Sequence, residues 1–104
     1  MVDVSGKRVL VIGFGALGSG LHAAALLKSK GASVTANDIK KEEELDAATV
    51  KALREWGVET RWGSPADSLA AGHDLIVASP AVPLSLPFAA IAKEHDIPVV
   101  SELE

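Results

Sequence analysis

The 104-residue sequence predicts an α/β domain, a doubly wound sheet of five parallel strands. Two observations carry that expectation. Short apolar runs closed by Gly, Asp or Ser-Pro alternate with alanine- and leucine-rich stretches, the pattern of buried parallel strands joined by helical crossovers. One such run, Val-Leu-Val-Ile at 9–12, passes directly into Gly-Phe-Gly-Ala-Leu-Gly at 13–18, a G-x-G-x-x-G turn between a strand and a helix.

The elements follow in order. The first strand is expected over 8–12, and the first helix over about 16–30, with Gly31 as its C-cap. A second strand over 33–37 ends at Asp38. The charge run Lys-Lys-Glu-Glu-Glu at 40–44 reads as a solvated loop or helix start. A helix over about 47–56 sets Val50 and Leu53 on one face, Trp56 at its margin, and stops at Gly57. A short third strand is expected over 58–62 and a helix of one or two turns over 66–71, stopped by Gly72. The fourth strand, 74–78, breaks at Ser79-Pro80, and a proline-marked loop over 81–87 leads to a helix over about 88–95. The fifth strand is 98–100. Right-handed crossovers then give the Rossmann-like order 3-2-1-4-5, with the glycine turn at the topological switch point.

A strand that turns over glycines into a helix gathers free backbone N–H groups at the positive end of the helix dipole, a setting for a nucleotide diphosphate. Gly13 permits the tight turn, Gly15 lets a phosphate approach, and Gly18 allows close packing of helix on strand. Asp38 stands twenty residues beyond Gly18. It either accepts hydrogen bonds from a ribose or a base N–H, or caps the turn that follows. Ser79 and Pro80 either line the same crevice or simply end the strand. Lys40 and Lys41 reach a phosphate or base edge, or stay solvated. The crevice is expected to gather 13–18, 38–40 and 79–82.

Composition closes several other routes. A formal charge of −4 argues against a nucleic-acid partner. The absence of cysteine excludes disulfides, thiolate metal sites and a thiol nucleophile. His22, His73 and His95 are scattered, and no carboxylate stands at metal-ligand spacing from them. There is no G-x-S-x-G and no G-x-x-x-x-G-K-[ST], so neither a hydrolase elbow nor a P-loop is present, and no catalytic residue is expected. Residues 1–7 lack the apolar stretch of a signal peptide and no run approaches a membrane span, which leads us to expect a cytoplasmic protein without membrane contact. The ending Ser-Glu-Leu-Glu at 101–104, with no closing helix, is expected to be a cut through a longer protein.

Five segments taken in order resemble the amino-terminal domain of the Mur ligases: 6–15, 34–38, 57–59, 74–80 and 97–104. The Ser-Pro-x-Val-Pro-Leu-x-x-Pro stretch at 79–87 and the closing Glu-Leu-Glu are the distinctive parts. The resemblance is strongest to the members that add D-glutamate to UDP-N-acetylmuramoyl-L-alanine. It implies that this domain holds the UDP part of that substrate. Backbone amides of Gly15, Ala16, Leu17 and Gly18 would face the diphosphate; Asp38, Ile39 and Lys40 would face the uracil; Ser79, Pro80 and Ala81 would close the opposite side. ATP and Mg²⁺ would belong to a central domain, and the amino acid to a C-terminal one, neither within these residues, so that the fragment alone is inactive. Leu17 stands where relatives often carry Ser or Thr, and Ala81 where they usually carry Gly. The other reading of the glycine turn and Asp38 is an NAD(P)-binding domain of a dehydrogenase or sensor.

Overall fold

The computed structural model describes residues 3–15 and 19–101. Five parallel strands, β1 (Arg8–Ile12), β2 (Ser33–Asp38), β3 (Glu59–Trp62), β4 (Leu75–Ala78) and β5 (Val99–Val100), form one sheet in the order β3-β2-β1-β4-β5. Helices α1 (Ser19–Ser29), α2 (Ala47–Glu55), α3 (Asp67–Ala70) and α4 (Pro87–Glu94) connect them. The expected fold class and strand order are both found.

Every residue of β4, and all of β1 after Arg8, is buried. Alternation of side chains sends successive residues to opposite faces, so a strand covered on both sides must be apolar throughout. Val9, Val11, Val34 and Ala36 pack with Ala24 and Leu27 of α1 and Leu53 of α2. Leu10, Ile12, Ile76 and Ala78 pack on the other face with Ala70 of α3 and Phe88 and Ala92 of α4. The result is three layers, helix, sheet, helix.

The expected start of the first helix, at about 16, lies outside the described residues; several other element ends differ from expectation by a residue or two. Asp74 lies just before β4 because its carboxylate accepts the Arg8 N–H at 2.8 Å, while its own N–H donates to the Arg8 carbonyl at 2.7 Å. That backbone hydrogen bond, with the Arg8 guanidinium nearby, holds the Asp74 carboxyl below its ordinary pKa. Pro98 lies outside β5, since it has no N–H, although its carbonyl still accepts from Ile76 N–H at 2.9 Å. Pro87 occupies the first turn of α4, where its missing N–H costs nothing. Trp56 falls outside the buried face of α2 and is 38% exposed. The acidic run forms a single 3-10 turn, Glu42–Glu44, tied to α2 by the Glu42–Arg54 ion pair.

Candidate functional site at the switch point

The strands β1 and β4 are neighbours, but their crossovers run to opposite faces, so the chain parts at their carboxyl ends. A crevice of about 530 Å³ opens there. Gly13 and Gly15 line it after β1, Asp38, Ile39 and Lys40 after β2, and Ser79, Ala81 and Val82 after β4. Three loops distant in sequence therefore meet as expected. Pro80 is not part of the wall, and Ala16, Leu17 and Gly18 lie outside the described residues.

Gly13 is fixed by its surroundings. Its φ is +97°, and a Cβ there would stand 2.8 Å from Ser79 Cβ and 2.9 Å from Val82 Cγ2. Its N–H donates to the Asn37 carbonyl at 2.9 Å, and Ser79 N–H donates to Ile12 O at 2.8 Å, so the glycine turn is laced to β2 and to the β4 loop. Gly15 is the opposite case: among the described residues a Cβ there would meet nothing within 4 Å, and its φ is not in the left-handed region. None of the described residues requires glycine at 15. The packing role expected of Gly18 lies outside the described residues, and a further close approach of α1 is found at Gly20. A Cβ on Gly20 would stand 2.3 Å from the Gly13 carbonyl oxygen and 2.8 Å from Phe14 Cδ2.

Asp38 is 7% exposed and both its oxygens are engaged. Oδ2 accepts from the Phe14 N–H at 2.8 Å, and Oδ1 from the Lys40 N–H at 2.9 Å. The carboxylate thus joins the turn after β1 to the turn after β2, so capping is present in the fold whatever else this residue binds. Phe14 in turn meets Trp62 edge-on, ring centroids 5.5 Å apart. The Trp62 indole is core-facing, and its buried Nε1 has no hydrogen-bond partner among the described residues.

Two stretches of wall were not anticipated from the sequence. One is Pro65, Ala66 and Asp67, running from the loop after β3 into the first residue of α3; the other is Leu86, Pro87 and Phe88, at the start of α4. The first is set in place by Asn37, a fully buried side chain whose Nδ2 donates to the carbonyls of Arg61 at 2.9 Å and Ser64 at 3.0 Å. An asparagine at the end of an apolar strand was the available signal, since a buried amide must find partners. The crevice wall is mostly apolar, with Asp38, Lys40 and Asp67 as its charged members. Among the described residues no group of His, Asp and Glu could hold a metal, and no helix is long and apolar enough to cross a membrane.

Comparison with known proteins agrees with this geometry. The UDP-N-acetylmuramoylalanine--D-glutamate ligase of Limosilactobacillus fermentum is 43% identical over 103 residues, which are 98% of this chain and 22% of that protein. The enzyme of the same name from Koribacter versatilis is 39% identical over 103 residues, covering 99% of this chain and again 22% of the relative. The chain thus spans about a fifth of the length of these relatives. In structure, it superposes on a UDP-N-acetylmuramate:L-alanyl-gamma-D-glutamyl-meso-diaminopimelate ligase from Neisseria meningitides with a TM-score of 0.72 at 20% identity, over 93% of this chain and 29% of that one, which shows the shared fold. The family model described as Mur ligase MurD-like, N-terminal domain, matches residues 7–101, and the chain belongs to that family.

Proposed function

We propose that this chain is the UDP-sugar-binding domain of an ATP-dependent ligase that joins D-glutamate to UDP-N-acetylmuramoyl-L-alanine, a step in building peptidoglycan precursors. The observation that carries this reading is the crevice at the switch point, where Gly15 leaves room that no described side chain occupies. A diphosphate fits that room. A backbone without a Cβ at Gly15 would let phosphate oxygens approach the chain on the N-terminal side of α1, and the sequence offers the amides of Ala16, Leu17 and Gly18, outside the described residues, as further donors. Asp38, with Ile39 and Lys40 beside it, faces the nucleoside, and Ser79 and Ala81 shape the opposite side. With Leu17 in place of a hydroxyl-bearing residue, the phosphate relies on backbone donors and the helix dipole.

The ligase reaction would need ATP to activate a carboxylate as an acyl phosphate, and Mg²⁺ to offset the charge of the phosphates. The 104 residues contain no P-loop, so ATP and Mg²⁺ would be held by a central domain of the full ligase, and D-glutamate by a C-terminal one. This chain binds and positions one substrate and performs no chemistry on it.

Calorimetric titration of the chain with UDP, UDP-N-acetylmuramoyl-L-alanine and NAD tests the reading. The UDP compounds should bind more tightly than NAD, in the range of roughly micromolar to millimolar, because one domain alone buries only part of the ligand. NAD binding more tightly than either UDP compound would overturn the assignment in favour of a dinucleotide domain.

A further inference from the structure

We propose that His73 is a positioning residue for the crevice, holding its outer wall in place from the opposite end of the sheet. The proposal rests on the nucleotide-binding reading above and concerns what frames the site, not what touches the ligand. Among the described residues the buried polar side chains are Thr35, Asn37 and Asp38, all on β2. Asp38 secures the glycine turn through the Phe14 N–H. Thr35 and Asn37 lie two residues apart and so share one face of the strand. It is the face of Leu10 and Ile12, their register partners in β1, which α3 and α4 cover. Both side chains act on the same stretch of chain. Asn37 Nδ2 donates to the Ser64 carbonyl at 3.0 Å, just before the wall residues Pro65, Ala66 and Asp67. Thr35 reaches the far end of that stretch through His73, whose Nε2 is 2.9 Å from Thr35 Oγ1 and whose Nδ1 is 2.8 Å from the Leu69 carbonyl oxygen.

The carbonyl fixes the direction of each bond. Leu69 O only accepts, so Nδ1 carries the ring hydrogen, Nε2 is the acceptor, and the Thr35 hydroxyl donates to it. The neutral imidazole is thereby a bridge between β2 and the end of α3. That bridge matters because α3 is a single turn, Asp67–Ala70. Its internal bonds are the Leu69 and Ala70 N–H groups to Ala66 O, at 3.0 and 3.1 Å, and a helix this short does not hold its own shape. Its buried anchors, Ala66 and Ala70, are small. Without the histidine the side chains of β2 would grip this stretch at the Asn37 end only. The wall would then be free to pivot about Ser64, and the crevice would lose its fixed width.

The test uses Thr35→Val, which keeps the shape and removes the hydroxyl, and His73→Asn, which keeps a donor for Leu69 but falls short of Thr35. Both cut the same link, so a double variant should behave as either single one does. In the ligand-free chain, amide hydrogen exchange at Leu69 and Ala70 should quicken at least about tenfold, while Val11 in the central strand exchanges as in the parent. Calorimetric UDP affinity, measured where each variant is folded, should fall by roughly 3- to 10-fold in each and no further in the double variant. Thr35→Ser restores the hydroxyl and should restore both readouts. If Thr35→Val does not fold, His73→Asn decides. Unchanged exchange at Leu69 and Ala70, or losses that add in the double variant, would overturn the bridge. Faster exchange with parental UDP affinity would make His73 a structural residue only and overturn its positioning role. UDP failing to bind the parent, with exchange responding as expected, would overturn the nucleotide-binding reading and leave the bridge standing.

Discussion

Gly13 and Gly15 stand two residues apart and should respond to the same substitution in opposite ways. Gly13→Ala forces a side chain into positive φ and into Ser79 and Val82, and should cost about 2 kcal/mol or more in urea denaturation. Gly15→Ala meets open space at an ordinary backbone conformation, so stability should hold or rise by about 0.4–1 kcal/mol. UDP affinity of the Gly15 variant should nevertheless fall at least about tenfold, since the methyl group stands where the phosphate would approach; unchanged affinity would remove Gly15 from the site. Asp38→Ala poses a related question. It strips the acceptor from the buried Phe14 N–H, so we expect a loss of about 1–3 kcal/mol in unfolding free energy. An unfolding midpoint equal to the parent's would show that Asp38 does not frame the turn. The placement of Asp38 at a strand end was legible from sequence. Its bond to Phe14 was not, because the two are 24 residues apart and meet only once β1 and β2 pair.

At the scale of elements, strands were legible wherever burial on both faces made the run apolar throughout, as in Leu-Ile-Val-Ala at 75–78. The Pro65–Ala66–Asp67 wall was not, since a proline and the start of a helix of one turn carry no periodicity and reach the crevice only through the register of β3 on β2. Helix ends show the same division. The helices α1 and α2 close at Gly31 and Gly57, each with positive φ, and both stops were read from the glycine itself. The end of α4 uses the same left-handed geometry at Asp96, φ 55°, where Ile97 N–H donates to Ala92 O at 2.8 Å and Asp96 N–H to Lys93 O at 3.2 Å. Nothing in an Asp announces that conformation, which costs a side-chain-bearing residue about 1 kcal/mol relative to glycine. Asp96→Gly should therefore stabilise the chain by about 0.5–1 kcal/mol, less the extra entropy glycine gives the unfolded state. A midpoint shift to lower denaturant would mean that the Asp96 side chain contributes more than its backbone strain costs.

At the scale of the whole molecule, the described residues already form a closed three-layer core, and their Cα radius of gyration of 12.3 Å is close to the roughly 13 Å expected for a folded chain of this length. If the chain folds by itself and binds UDP as proposed, its stability should depend on the ligand, because a ligand that binds only the folded state stabilises it by mass action. UDP at a hundredfold excess over its Kd should add about 2.7 kcal/mol to the unfolding free energy and raise Tm accordingly. Binding and turnover should separate cleanly. The same chain, supplied with ATP, Mg²⁺, D-glutamate and UDP-N-acetylmuramoyl-L-alanine, should release no phosphate beyond the rate without protein, since no phosphate-cradling P-loop exists within its 104 residues. Phosphate release that requires both D-glutamate and the muramoyl substrate would place catalytic groups in this domain. Ligand-linked stabilisation without phosphate release would assign it the task the crevice suggests, which is to hold the nucleotide end of the substrate while chemistry proceeds at the other.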